Sequence, residues 1–146
     1  MSSQDLLVAR DGPVLTLTLN RPEQRNSMSP EIVGGLAEQI AGAADAGVRV
    51  VVVTGTGDKA FCAGADLQSG KSFQYRPSPR APLADLLRIA RASTVPLVAR
   101  INGTCVAGGM GLLGMCDIAI AAEHAKFGLP EVKVGVFPMQ VLAVLQ

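Results

Sequence analysis

The sequence predicts an α/β domain, and three observations carry that reading. A continuous β-branched run from Arg49 to Thr54 (RVVVVT) reads as a strand covered on both faces, the habit of parallel sheets flanked by helices. Stretches with apolar residues three or four apart alternate along the chain with strand-like runs, as they do where helices cross over between parallel strands. The core has to be built from Val, Leu, Ile, Ala and Met, because the 146 residues include one Tyr, four Phe and no Trp. Small side chains of that kind let helices and strands pack closely.

Leu6 to Val8 and Val14 to Leu19 read as two strands joined at Asp11-Gly12, a dipeptide suited to hairpin turns. In the second strand Leu15, Leu17 and Leu19 alternate with Thr16 and Thr18, the period of a half-buried strand. The segment NRPEQRNSM (20–28) is a polar loop. Ser29 then reads as an N-cap with Pro30 at the first helical position, and Ile32, Leu36, Ile40 and Ala44 carry the helix towards a stop at Gly47. After the strand at 49–54 comes GTGDKAFCAGADL (55–67), a glycine-rich loop expected to turn into a short helix. Residues 70–82 are basic and rich in Pro and Ser, and read as a mobile surface loop. Leu83 to Ser93 reads as a helix and Pro96 to Ile101 as a strand. Asn102 to Gly114 is glycine-rich, Asp117 to Ala121 is a strand, and Lys126 to Val136 is extended and irregular. The last residues, MQVLAVLQ, begin a helical pattern without a stop signal. The expectation is one domain over 1–146, cut short at its C-terminal side.

Composition excludes several function classes. Thirteen Lys+Arg against twelve Asp+Glu give a net charge of +1, with 49% apolar residues, which argues against disorder and gives no electrostatic reason to bind nucleic acid or an anionic membrane. The longest uncharged stretch, Ile101 to Cys116, is shorter than the ~20 residues a membrane helix needs. The start of the chain lacks the basic and apolar regions of a signal peptide. Cys62, Cys105 and Cys116 are odd in number and lack CxxC spacing, so they read as buried reduced thiols, with Cys62 and Cys105 as small apolar filler. A cytoplasmic protein with no metal site is the expectation.

Several of the sixteen glycines cluster in two loops. Gly109-Met110-Gly111-Leu112-Leu113-Gly114 is a literal GxGxxG, but a dinucleotide site needs those glycines directly after a strand and opening a long helix. Here the preceding strand is expected to end near Asn102, and the next begins at Asp117. The other reading uses the glycines as backbone donors. Gly64-Ala65 and Gly108-Gly109 each sit where a loop enters a helix, and N–H groups there are unpaired and carry the positive end of the dipole. Two such groups from different loops can hold one carbonyl oxygen and stabilise it as an oxyanion. Close helix–strand packing is the alternative reading of the same glycines.

Four segments, NRPEQRNSM (20–28), AFCAGADL (60–67), INGTCVAGGMGLLGMCDIAIA (101–121) and FGLPEVKVGVFP (127–138), resemble the enoyl-CoA hydratase/isomerase, or crotonase, family, in family order and over essentially the whole chain. The resemblance implies a crotonase-like spiral of ββα turns, an acyl-CoA thioester as substrate, and a trimer or hexamer for the full-length form. It implies no separate cofactor, since coenzyme A is part of the substrate. By motif, the oxyanion N–H groups fall to Ala65 and Gly108. Substrate or coenzyme A contacts fall to Arg25, Ala63, Ala65, Asp66, Leu67, Gln68 and Gly108, with Arg25 placed to meet phosphates.

The resemblance also implies two glutamates in hydratases. The second matches Glu131 of the Pro130-Glu131 pair, while the first falls on Gly111, so one acid is missing. Asp117 resembles a structural aspartate of the family. His124, the single histidine, reads as a surface or supporting residue. Three readings follow. The first is an enoyl-CoA enzyme, hydratase by family name, with a single-carboxylate 3-enoyl-CoA to 2-enoyl-CoA isomerase as the alternative and Glu131 as the base. The second is a non-catalytic acyl-CoA binder, and the third a dinucleotide-binding domain.

Overall fold

The computed structural model describes residues 4–66 and 82–145. The surface loop expected at 70–82, apart from Pro82, and the short helix expected at the end of the 55–67 segment lie outside those residues.

Strands β1 (Leu6–Asp11) and β2 (Val14–Leu19) form an antiparallel hairpin that pairs Leu6 with Leu19 and Asp11 with Val14. The reversal is therefore Gly12-Pro13, one residue later than Asp11-Gly12, and Gly12 makes it at φ +56°, where a side chain would be strained. Leu15, Leu17 and Leu19 are buried and the residues between them half-buried, as the alternation requires. Helix α1 (Pro30–Gly42) starts as expected, with the Ser29 hydroxyl accepting from the Ile32 N–H at 3.3 Å. It buries Ile32, Val33, Leu36 and Ile40, and ends at Gly42, short of Ala44.

The remainder repeats one unit. β3 (Val50–Gly55) enters a larger sheet, β4 (Ala60–Cys62) a smaller one, and α2 (Pro82–Ala92) follows. Then come β5 (Leu97–Ile101), β6 (Thr104–Val106) and α3 (Gly108–Gly114), and after them β7 (Ile118–Ala121), β8 (Phe127–Gly128), a 3-10 turn (Pro130–Val134) and α4 (Met139–Leu145). The larger sheet has the order β1-β2-β3-β5-β7 and the smaller β4-β6-β8. All pairs apart from the first hairpin are parallel. Each turn of the chain adds one strand to the end of each sheet, which is the expected ββα spiral.

The core joins buried residues of β2, β3 and β5 to Ile32, Leu36, Leu86 and Leu87 of the packed helix pair α1 and α2. Strand β3 departs from its expectation. Val51 and Val53 are fully buried, but Val50 and Val52 are half-buried, so the second face is only partly covered. β4, β6 and β8 lie inside segments read as loop or irregular chain. Two or three residues are too few for a period, and their strand character comes from pairing with each other.

Candidate functional site

The three short parallel strands end on one side of the smaller sheet. β4 leads into Ala63–Asp66, β6 into Ala107-Gly108, and β8 into Leu129–Glu131. Ligands of parallel sheets sit at such carboxyl ends. Loop 20–28 packs against the first of them. Met28 N–H donates to the Gly64 carbonyl at 2.7 Å, Asp66 N–H to Met28 at 3.1 Å, and Ala63 N–H to Arg25 at 3.1 Å. Ala107 N–H donates to the Gly128 carbonyl at 3.0 Å, joining the second and third loops.

Backbone conformation sets the two proposed donors apart. Gly64 has φ +99°, and Ala107 has φ +53° with ψ −126°. Each residue immediately precedes one of the N–H groups of interest. The bonds of the Met28–Ala65 bridge use the neighbours of Ala65, and Gly108 opens α3. Neither the Ala65 nor the Gly108 N–H donates to a protein group among the described residues. They are close together: a Cβ added to Gly108 would lie 3.7 Å from the Ala65 nitrogen, and one added to Gly64 would lie 3.4 Å from the Gly108 nitrogen. Ala107 is a non-glycine residue in a region costing of order 1–3 kcal/mol, and strain of this kind gathers at binding sites.

The other glycines divide by role. A Cβ on Gly109 would overlap the Cys62 carbonyl, so Gly109 is a packing residue. Gly109, Gly111 and Gly114 all lie inside α3, which has seven residues. β6 ends at Val106, close to the glycines, so the gap expected after Asn102 is absent. The GxGxxG still does not form a strand-to-helix phosphate loop, because its glycines are within the helix. Gly111 is buried, and a Cβ there would meet Val141 Cγ2 of α4 at 3.5 Å.

Glu131 stands in the first turn of the 3-10 segment. Its Oε2 is buried and has no hydrogen-bond partner, alone in this among side-chain N and O atoms of the described residues. The Asp66 side chain has its Oδ2 2.9 Å from Arg21 Nη2, and Arg21 also reaches Asp5 at 3.4 Å. The carboxylate thus ties loop 20–28 to the β4 loop. Arg25 is exposed at φ +52°, while Ala63 is half-buried. Leu67 and Gln68 lie outside the described residues. His124 is exposed, with Nε2 2.9 Å from the Asp58 carbonyl oxygen, a surface role as expected. Asp117 accepts from the Leu97 N–H at 2.8 Å, which is structural.

Two supporting residues were not singled out from the sequence. Asn26 is 1% exposed at φ +54°; its amide donates to the Thr56 and Ala60 carbonyls at 3.0 and 2.7 Å, and its Oδ1 accepts from Arg21 N–H. Asn102 accepts from Gly55 N–H and donates to the Gly57 and Ala60 carbonyls. Together they hold the start of β4. The available signal was an Asn flanked by loop residues, since Asn tolerates the left-handed region and bonds backbone. Cys62 and Cys105 are buried filler, with thiols pushed up to about 12, chiefly by burial. A thiol in that range is not a nucleophile at neutral pH. Among the described residues no three His, Cys, Asp or Glu side chains gather as a metal site, and no helix is long and apolar enough to cross a membrane.

The family model for enoyl-CoA hydratase/isomerase matches residues 9–146. The chain belongs to that family. It is 36% identical over 135 residues to the 2,3-dehydroadipyl-CoA hydratase of Escherichia coli, covering 92% of this chain and 52% of that protein. It is 41% identical over 122 residues to a probable enoyl-CoA hydratase of Mycobacterium tuberculosis, covering 84% and 49%. Among solved structures, AtuE of Pseudomonas aeruginosa superposes with a TM-score of 0.85 at 38% identity, over 97% of this chain and 57% of that one. A polyketide biosynthesis enoyl-CoA hydratase of Bacillus subtilis gives 0.87 at 30% identity, over 99% and 59%. The fold is the crotonase fold, and this family member spans about half the length of the curated relatives it matches.

Proposed function

We propose that this chain binds an acyl-CoA thioester and stabilises its enolate between the N–H groups of Ala65 and Gly108, with Glu131 moving the proton. The observation that carries the reading is the buried, unpartnered Glu131 Oε2, at the same sheet end as two N–H groups without protein partners. An orphaned buried oxygen is destabilising unless something at the site uses it. Two N–H groups aimed at one oxygen favour the charge that develops there when an α-proton is lost. Coenzyme A enters as part of the substrate and no separate cofactor is invoked. The loop segments around Arg25, Ala63 and Asp66–Gln68 are proposed to carry the coenzyme A portion, and the full-length form is proposed to be a trimer or hexamer.

Enoyl-CoA hydration is the first reading, since the relatives are named for hydration. Gly111 favours a second. Hydration needs a base for water and a proton donor for the α-carbon, and α3 carries no acidic side chain. Moving a double bond from the 3- to the 2-position needs one group, which takes a proton from the α-carbon and returns it to the γ-carbon. Glu131 suffices for that. Crotonyl-CoA and a 3-enoyl-CoA are the two diagnostic substrates. Loss of conjugated-enoyl absorbance with the first supports hydration, and its gain with the second supports isomerisation. Turnover left intact by Glu131→Gln removes the proposal for Glu131.

A further inference from the structure

We infer that Arg21 is a positioning residue for the oxyanion pair: its guanidinium clamps loop 20–28 onto the β4 loop and so holds the direction of the Ala65 N–H. The inference rests on the reading of Ala65 and Gly108 as thioester donors, and adds a residue that acts on them through the backbone.

The direction of the Ala65 N–H is set by one peptide plane. The Gly64 carbonyl and the Ala65 N–H belong to the same trans peptide, in which the two point opposite ways. The Gly64 carbonyl accepts from Met28 N–H at 2.7 Å, so the Ala65 N–H faces away from the Met28 backbone. Gly64 stands at φ +99°, and the conformational freedom of glycine means that residue 64 does not by itself stop this peptide from turning. The bonds from loop 20–28 do. Met28 also accepts from Asp66 N–H at 3.1 Å, and a Cβ added to Gly108 would overlap the terminal methyl of Met28. Met28 therefore stands against both donor loops, and its seat fixes how they face each other.

Arg21 fixes that seat. Its Nη1 donates to the carbonyl of Ser27, the residue before Met28, at 3.1 Å. Its Nη2 donates to Oδ2 of Asp66, the residue after Ala65, at 2.9 Å. One guanidinium thus joins the two chains beside the Met28–Ala65 bridge. Its Nε lies 3.4 Å from Asp5 Oδ2, which also accepts from the hydroxyl of Ser29, just after Met28, at 2.6 Å. The Arg21 N–H donates to Asn26 Oδ1 at 3.0 Å, which ties the base of the side chain to the same loop. The Arg21 and Asp66 side chains are 16% and 14% exposed, so the pair is mostly out of water. The planar fork of arginine holds two acceptors in fixed geometry, as a lysine ammonium does not. A hydrogen bond weakens steeply as its N–H turns off line, and loss of one oxyanion donor altogether costs about 10²–10³-fold in kcat.

Residual dipolar couplings of the ¹⁵N-labelled, ligand-free protein read the direction of each N–H and test the clamp. Arg21→Gln is expected to shrink the Ala65 coupling, because that N–H then samples several directions, and to leave the couplings of Gly108 and helix α1 at their parental values. A urea melt checks that the variant is folded. Should Arg21→Gln fail to fold, Asp66→Asn, which removes the partner's charge and keeps its shape, is read in the same way. An Ala65 coupling equal to the parent's in the folded variant, or equal losses at Ala65, Gly108 and α1, overturns the inference. The oxyanion reading fails separately. A non-reactive acyl-CoA thioester that saturates the parent and moves neither amide proton removes that reading, while the couplings of the free protein still decide the role of Arg21.

Discussion

Glu131 and Ala107 make the residue-scale case, because each holds an unfavourable state that the fold alone does not require. The buried Oε2 of Glu131 lacks a partner, and an unsatisfied buried polar group costs about 1–3 kcal/mol. Glu131→Gln is therefore expected to keep or raise the midpoint of urea unfolding while lowering turnover by about 10²–10⁴-fold, the usual contribution of a positioned proton-transfer group. A variant that loses stability and keeps activity would mark Glu131 as structural. Ala107, at φ +53° and ψ −126°, occupies a conformation that glycine adopts freely. Ala107→Gly should melt at or above the parent temperature. Ala107→Val should lose about 1–3 kcal/mol, read by the same unfolding curves. The motif residues at this scale were legible through the resemblance. The Asp66–Arg21 pair was not, since ion pairing between loops 45 residues apart leaves no local pattern.

At the scale of elements, the site depends on how β4 is held. Asn26 and Asn102 both donate to the Ala60 carbonyl, which starts that strand. Asn26→Ala removes two donors and one acceptor from a side chain 1% exposed. The Ala60 carbonyl keeps its bond from Asn102, so the Thr56 carbonyl and the Arg21 N–H are the groups left unpaired; at about 1 kcal/mol or more for each, the expected loss is about 2 kcal/mol in denaturant unfolding. The conservative Asn26→Asp should recover little, because it restores no donor. Periodicity revealed the long elements: β2, α1, β3, α2 and β5 were found within a residue or two of their observed limits, except for the early end of α1. It missed β4, β6 and β8, which have two or three residues each. Their conformation comes from contacts between successive turns of the spiral, and sequence alternation cannot register in so short a run. The GxGxxG shows the converse: a clear local pattern whose meaning depended on the register of α3.

The whole molecule has a shared response to alkaline pH. Burial, the largest cause at each site, pushes the thiols of Cys62, Cys105 and Cys116 from 9.0 to about 12. In the unfolded chain these thiols ionise near 9, while in the folded chain they stay protonated to about 12. The stability linked to them is complete below pH 9 and is lost as pH rises towards 12, because the unfolded state then binds fewer protons. Unfolding midpoints measured from pH 8 to 11 should fall, and fall less steeply when Cys116, the most accessible of the three, is replaced by Ser.

The spiral brings Ala65, Gly108 and Glu131 from three successive turns to one sheet end, and the central claim is that this end holds a thioester oxygen. Amide NMR of ¹⁵N-labelled protein tests it most directly. On adding a non-reactive acyl-CoA thioester, the Ala65 and Gly108 amide protons should both move downfield, as donors to a new acceptor. Saturable binding of that thioester with both amides unmoved would contradict the account.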